Sequence, residues 1–213
     1  MKKNIQEIRR EYQLKSLNES EIDPDPISQF DKWLEEALQA EVWEPTAMSL
    51  ATVSPEGKPS ARMVLLKQAN EKGFVFYTNY NSRKGENLAG NPYAAVVFYW
   101  PELERQVRVE GITEKVSKEE SDSYFNSRPE GSRVGAIVSP QSSEIPGREF
   151  LEELFDNYQK MSKGKPLIRP ENWGGYRIIP DRVEFWQGRA SRLHDRIEFI
   201  RNDLMWKIRR LAP

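Results

Sequence analysis

From Thr46 onward the apolar residues of this 213-residue chain leave a helical period and take up the alternation of a β-strand. Residues 46–53 and 60–66 flank the turn Pro55-Glu56-Gly57-Lys58, which predicts a hairpin. Gly73 precedes a third strand over residues 74–78. Residues 93–100 have the continuous apolar character of a buried strand, whereas 106–116 alternate as a half-solvated strand should. Strands return at 173–179, 182–187, 197–200 and around Trp206. They are joined mostly by short turns, with helices inserted and no alternating βα rhythm. That order predicts the α+β class: an antiparallel sheet or barrel with peripheral helices.

The helices announce themselves by their caps. Residues 1–24 are highly charged and run into the turn-like Asp23-Pro24-Asp25-Pro26, which reads as a short amphipathic helix and a linker ahead of one domain over 25–213. Asp25 then serves as N-cap with Pro26 at the first helical position. Ile27, Phe30, Leu34, Ala37, Leu38 and Glu41 follow a helical period to about Ala40. Asn81 or Ser82 caps a helix over 83–89 that Gly90-Asn91-Pro92 stops. Ser117 and Glu120 form a capping box for a helix to about Ser127. The small residues of 131–139 lead through a loop into a helix over roughly 148–161, with Phe150, Leu151, Leu154, Phe155 and Tyr158 as its apolar face.

Composition closes several routes to chemistry. Lys and Arg total 32 against 33 Asp and Glu, a net charge of −1, so nothing at whole-chain level draws the protein to nucleic acid or an anionic membrane. There is no cysteine, which excludes disulfides, thiol nucleophiles and Cys-ligated zinc and fits a reducing compartment. A single histidine, His194, rules out a zinc site built on several imidazoles, and the adjacent Asp195 is poorly placed to orient its own neighbour in a triad. Neither GxGxxG nor a P-loop occurs. No membrane span is expected, since the longest run free of polar breaks is 93–100, and no apolar region follows Lys2 and Lys3; the expected location is the cytoplasm.

Anion binding must therefore come from local clusters. At 79–92 a capped helix start carries free N–H groups, and Arg83 and Lys84 add two charges: either a phosphate seat or two solvated first-turn cations. Arg62 and Lys67 bracket Met63, Val64, Leu65 and Leu66. In a regular strand the two cations face opposite ways, so both serve one site only if the strand bends. Tyr124 and Arg128 share a helix face, with Ser132 in the turn beyond, as a polar helix end or a set of phosphate donors. If the segment is extended, Arg192, His194 and Arg196 fall on one face and need an anionic or electron-rich group over them. Trp186 upstream is either core or a wall for a planar ligand.

Together RREY (9–12), RMVLLK (62–67), FYTNYNSRK (76–84), ERQVRVEG (104–111), YFNSRPEGS (124–132), QSS (141–143), WGGYR (173–177), EFWQG (184–188), RLHDR (192–196) and RLAP (210–213) resemble the pyridoxamine/pyridoxine 5′-phosphate oxidase family, in family order and with family-like spacing. The resemblance implies an FMN-binding split barrel that forms a homodimer with both flavins at the subunit interface. Carried over by position, the flavin ligands are Arg62, Met63, Val64, Leu65, Leu66, Lys67, Tyr77, Thr78, Arg83, Lys84, Gln106, Gln141, Ser142, Trp186 and Arg196. The substrate phosphate lies against Lys67, Tyr124, Arg128 and Ser132. Arg192 and His194, the implied catalytic pair, sit at the substrate ring, and Arg9, Arg10, Glu11 and Tyr12 cover the site as a lid.

The implied reaction converts pyridoxamine 5′-phosphate or pyridoxine 5′-phosphate to pyridoxal 5′-phosphate by hydride transfer from C4′ to flavin N5, with O2 as acceptor and H2O2 as product. Two phosphate esters account for two cationic clusters in a chain of net charge −1. A flavin reductase or F420-type oxidoreductase on the same barrel has no reason to carry RREY, YFNSR and RLHDR together. A carrier that binds pyridoxal phosphate without turning it over is separated by peroxide release. A β-barrel nucleic-acid binder lacks the basic stripe it needs here.

Overall fold

Asp25 sits in extended backbone and its carboxylate accepts the Ser28 N–H at 2.9 Å, so helix α1 (Pro26–Gln39) starts where the sequence places its cap. Its buried stripe is Pro26, Ile27, Gln29, Phe30, Trp33 and Ala37. That corrects the expected face at two positions: Leu38 is exposed, and Trp33 takes a core place. The Trp33 ring meets Phe185 edge-on at 5.2 Å and carries the Arg105 guanidinium at 4.2 Å, which centres the stripe on 30, 33 and 37 and turns Leu38 away.

The computed structural model describes residues 4–7, 11–203 and 205–213. After α1 come β1 (Ala47–Val53), β2 (Pro59–Leu65), β3 (Gln68–Asn70), β4 (Gly73–Asn79), α2 (Arg83–Gly90), β5 (Tyr93–Trp100), β6 (Arg105–Lys115), α3 (Lys118–Ser127), α4 (Glu130–Val138), α5 (Arg148–Ser162), β7 (Trp173–Gln187), β8 (Asp195–Asn202) and β9 (Met205–Arg210). They form one nine-stranded sheet in the order β2-β1-β5-β6-β7-β4-β3, with β8 on β7 and β9 on β8. The pairs β3–β4, β4–β7, β7–β8 and β8–β9 are antiparallel. The expected α+β class holds.

Several expectations change. Residues 11–24 carry no helix, and the described part of the N-terminus before them holds a 3-10 turn, Ile5–Glu7. The small-residue stretch 131–139, for which no element was expected, lies almost wholly in helix α4, where Val134 is fully buried against Phe125 and Trp173 with Ala136, Ile137 and Val138 beside them. The two strands expected over 173–187 are one; Pro180, which has no N–H to give, falls between the register with β4, ending at Ile178, and that with β8, starting at Arg182. β5 alternates instead of being buried throughout, with Tyr93 and Tyr99 exposed. On α5, Leu151, Leu154, Phe155 and Tyr158 are half-buried, but Phe150 is exposed.

The chain divides into two compact units: Met1–Ser49 with Ala95–Gly111 and Pro180–Pro213, and Leu50–Ala94 with Ile112–Ile179. The first is cored by Phe30, Trp33, Phe98, Trp100, Phe185, Ile197 and Phe199. Full burial of each such side chain contributes about 1.5–3 kcal/mol. Arg105 is buried there only because its Nε donates to Gln187 Oε1 at 2.9 Å and its Nη1 pairs with Glu36 at 3.0 Å. The second unit is cored by Phe74, Val75, Phe76 and Ile178, and by the Phe125, Val134, Leu167 and Trp173 cluster. Among the described residues no helix is long and apolar enough to cross a membrane.

Candidate active site

β2 ends at Leu65, Leu66 turns into the core, and the Lys67 N–H bonds the Val75 carbonyl at 2.8 Å. Lys67 therefore leaves the strand. Arg62 and Lys67, opposed in a regular strand, here line one cleft of about 510 Å³ in the second unit, together with Met63, Val64, Leu65, Tyr77, Thr78, Lys84, Tyr124, Arg128, Pro129, Ser132, Gln141 and Trp173. The structure thus brings most of the second unit's expected flavin residues and all of the expected phosphate donors to a common wall. Leu66 is buried behind that wall, and Arg83 and Ser142 lie exposed near it in sequence without lining it.

Two of the cleft's cations, Arg62 and Lys84, are held by neutral groups. Arg62 donates from Nη1 to the Leu50 carbonyl at 2.9 Å and Thr52 Oγ1 at 2.8 Å, and from Nη2 to Ser60 Oγ at 2.6 Å. Asn87 ties Thr52 and Ser60 from behind at 3.0 and 3.2 Å. Lys84 Nζ donates to Thr78 Oγ1 at 3.1 Å, Gln141 Oε1 at 3.0 Å and Ser82 Oγ at 3.3 Å. Ser82 is the α2 N-cap, the second of the two candidates. Among the described residues no carboxylate lies within 4 Å of Arg62, Lys67, Lys84 or Arg128. Burial lowers the pKa of Arg62, aided by the charge of Arg83, and that of Lys84, aided by Arg62. Partly buried cations that repel one another and lack acidic partners make an anion seat.

Three aromatic rings form the far wall. Tyr77 stacks on Tyr124 with centroids 3.9 Å apart and 19° between planes, and on Trp173 at 5.6 Å and 14°. Burial first, then Glu120 and Tyr124, push the Tyr77 phenol up to about 12, so it remains a hydroxyl donor. The four cations with a flat aromatic wall fit a ligand that is both phosphorylated and planar.

The remaining expected residues lie in the first unit. Arg9 and Arg10 lie outside the described residues, and Glu11 is exposed. Tyr12 packs edge-on against Trp186 at 5.7 Å and His194 at 5.8 Å, and the Trp186 and His194 rings are 4.6 Å apart. The buried Glu104 fixes this segment, its carboxylate accepting the Gln13 N–H at 2.8 Å and the Leu14 N–H at 3.1 Å. Gly188 is obligatory beside Tyr12, since a Cβ there would stand 2.7 Å from the ring carbon. Gln106 is half-buried on β6.

The one-faced reading of Arg192, His194 and Arg196 does not hold as geometry. Residues Ala190–Arg192 form a 3-10 turn with Ser191 and Arg192 at φ 55° and 62°, and the strand begins only at Asp195. Repulsion is relieved by that bend and by pairing: Arg196 makes a two-pronged contact with buried Glu184 at 2.8 and 3.0 Å and donates to the Ala212 carbonyl. Among the described residues Asp195 makes no hydrogen bond to the imidazole of its neighbour and instead ties Leu17, Arg189 and Arg210. Four positions escaped the sequence reading. Trp173, Thr52 and Glu104 meet partners distant along the chain, and Ser60 meets Arg62 two residues on but also Asn87 from another element, so none carries a local signal for its place in the site.

His194 Nδ1 accepts the Arg189 backbone N–H at 3.1 Å, a bond that only an unprotonated Nδ1 can accept. Burial and then Arg192 lower the His194 pKa below 6.5, against the opposing pull of Asp195. Because the folded value is the lower one, the stabilisation is fully present above 6.5 and is lost as pH falls through the folded pKa. An NMR titration of this sole imidazole should give a midpoint under 6.5, and Arg192→Met should raise it. A midpoint at or above the ordinary value would show that the Arg189 bond does not form in solution.

A family model described as pyridoxamine 5′-phosphate oxidase matches residues 34–161, and one described as the pyridoxine 5′-phosphate oxidase C-terminal dimerisation region matches residues 173–213. The chain belongs to the pyridoxamine 5′-phosphate oxidase family. Members are FMN-dependent oxidoreductases, and FMN is the cofactor of this chain. A protein named pyridoxine/pyridoxamine 5′-phosphate oxidase from Nostoc sp. strain PCC 7120 is 56% identical over 100% of both chains. Pyridoxine/pyridoxamine 5′-phosphate oxidase 1 of Ralstonia nicotianae is 56% identical over 99% of both. The solved structure of PhzG from Burkholderia lata 383, in complex with tetrahydrophenazine-1-carboxylic acid, matches with a TM-score of 0.88 and 30% identity over 94% of this chain and 99% of that one. A pyridoxamine 5′-phosphate oxidase-related, FMN binding protein from Nostoc punctiforme shares the fold with a TM-score of 0.73 at 20% identity, over 90% and 100% of the chains.

Proposed function

We propose that this chain oxidises pyridoxamine 5′-phosphate and pyridoxine 5′-phosphate to pyridoxal 5′-phosphate, with O2 as acceptor and H2O2 as product. The observation that carries the reading is the set Arg62, Lys67, Lys84 and Arg128 on one cleft, among the described residues without a carboxylate partner. Bound there, FMN would supply the acceptor for the C4′ hydride and pass the electron pair on to O2. Arg62, Arg83 and Lys84 neutralise the flavin phosphate, and residues 62–67, Tyr77, Thr78, Gln106, Gln141, Ser142, Trp186 and Arg196 hold the rest of the cofactor. Lys67, Tyr124, Arg128 and Ser132 clamp the substrate phosphate. Arg192 and His194 orient the substrate ring and meet the charge that develops there, and Glu11 and Tyr12, with Arg9 and Arg10, cover it. The cytoplasm suits a chain without cysteine.

The protein acts as a homodimer in this reading, because the flavin takes ligands from both subunits. The match of residues 173–213 to a dimerisation region supports it. Sedimentation should show a dimer at micromolar concentration, and a flavin-loaded monomer would overturn it. The decisive test of function is the absorption spectrum of the purified protein before and after anaerobic addition of pyridoxamine 5′-phosphate. The flavin band should bleach and return on admitting air with release of H2O2; an unbleached band defeats the proposal.

A further inference from the structure

Arg128 is the residue that closes α3, and among the described residues no carboxylate holds it. An aromatic face does: its guanidinium carbon lies 4.7 Å from the centre of the Trp173 ring. Its Nη1 is buried without a hydrogen-bond partner. A guanidinium resting on an indole keeps its charge and its in-plane donors, whereas a carboxylate partner would neutralise the one and occupy the others.

Trp173 is itself locked in place. Its ring lies within 6° of parallel to Tyr124 at 6.2 Å, and Phe125 meets it edge-on at 5.5 Å. Its backbone carbonyl accepts a hydrogen bond from Arg169, whose Nε is bound to Asp122. Asp122 belongs to α3, the helix that also carries Tyr124. The platform is therefore tied to α3, the element that carries Tyr124 and ends at Arg128.

We infer that Trp173 is a positioning residue for recognition of a phosphate monoester: its indole face holds Arg128 at the cleft with donors free for the substrate phosphate. The inference rests on reading that cleft as the substrate's phosphate seat. Removing the ring leaves the charge of Arg128 in the protein but not its place, so the loss falls on binding of phosphorylated substrate.

The test compares the flavin-loaded wild type with Trp173→Leu and Trp173→Phe, each with and without Arg128→Ala. For each, KM and kcat are measured for pyridoxamine 5′-phosphate and for pyridoxamine, with flavin content as control. Trp173→Leu should raise KM by about 3- to 30-fold more for the phosphorylated substrate than for pyridoxamine. Trp173→Phe should recover part of that loss, since a phenyl face still carries a cation. In the Arg128→Ala background the Trp173 substitution should add almost nothing. Equal penalties for the two substrates, or a full penalty persisting without Arg128, would overturn the inference. Should Trp173→Leu fail to fold, the Phe variant gives the same comparison on a smaller scale. Binding of pyridoxal 5′-phosphate, followed by its own absorbance, repeats the comparison without turnover. A wild type that binds it but oxidises nothing defeats the proposed function, while the binding ratios still decide the role of Trp173.

Discussion

Arg192→Met lowers kcat/KM for pyridoxamine 5′-phosphate by roughly 30- to 1,000-fold while the purified protein stays yellow. The fold does not depend on this side chain. Arg192 is exposed, stands in the left-handed turn at φ 62°, and among the described residues makes no ion pair. Methionine keeps the length and inherits the same backbone conformation, so the substitution removes charge and donors and little else. Burial first, and then that charge, lower the pKa of His194. A positioned charged donor that acts as charge develops contributes about 2–4 kcal/mol, which sets the expected range. Steady-state kinetics alongside the flavin absorbance decide the matter. A variant that loses flavin and regains full activity when FMN is restored would make Arg192 a cofactor ligand instead.

Arg128→Ala lowers kcat/KM for pyridoxamine 5′-phosphate by roughly 10- to 150-fold and leaves unphosphorylated pyridoxamine much less affected. Arg128 lines the cleft, its buried Nη1 has no hydrogen-bond partner, and among the described residues no carboxylate pairs with it, so its charge is left for a phosphate to meet. Each charge-assisted hydrogen bond contributes about 1.5–3 kcal/mol, and only the phosphorylated substrate makes it. The measurement is a two-by-two comparison of enzyme form against substrate form. Equal losses on both substrates would make Arg128 a structural residue and would remove the phosphate clamp.

Local chemistry determined the elements whose signals are local. The Asp25 and Pro26 start of α1, the Ser82 start of α2 and the Ser117 start of α3 each depend on a side chain reaching three residues along the backbone, a contact that sequence order alone brings within range. The α+β class followed likewise from period-two segments separated by short turns. Motif order carried most of the cleft residues, but not their arrangement.

Tertiary structure decided what depends on distant partners. The small-residue stretch after Arg128 has little helical signature of its own and becomes α4, Glu130–Val138, because Val134 is buried against Phe125 and Trp173. Trp33 displaced Leu38 from the core because Phe185 and Arg105 are there to meet it. Arg62 and Lys67 share a cleft only because β2 stops at Leu65, and Arg192 and His194 leave a common strand face only because the backbone turns left-handed at Ser191. Trp173 under Arg128 is the same case, a contact across the fold that no spacing in the chain announces. A periodicity reports which way a side chain points; which group it meets is set by where the rest of the chain packs.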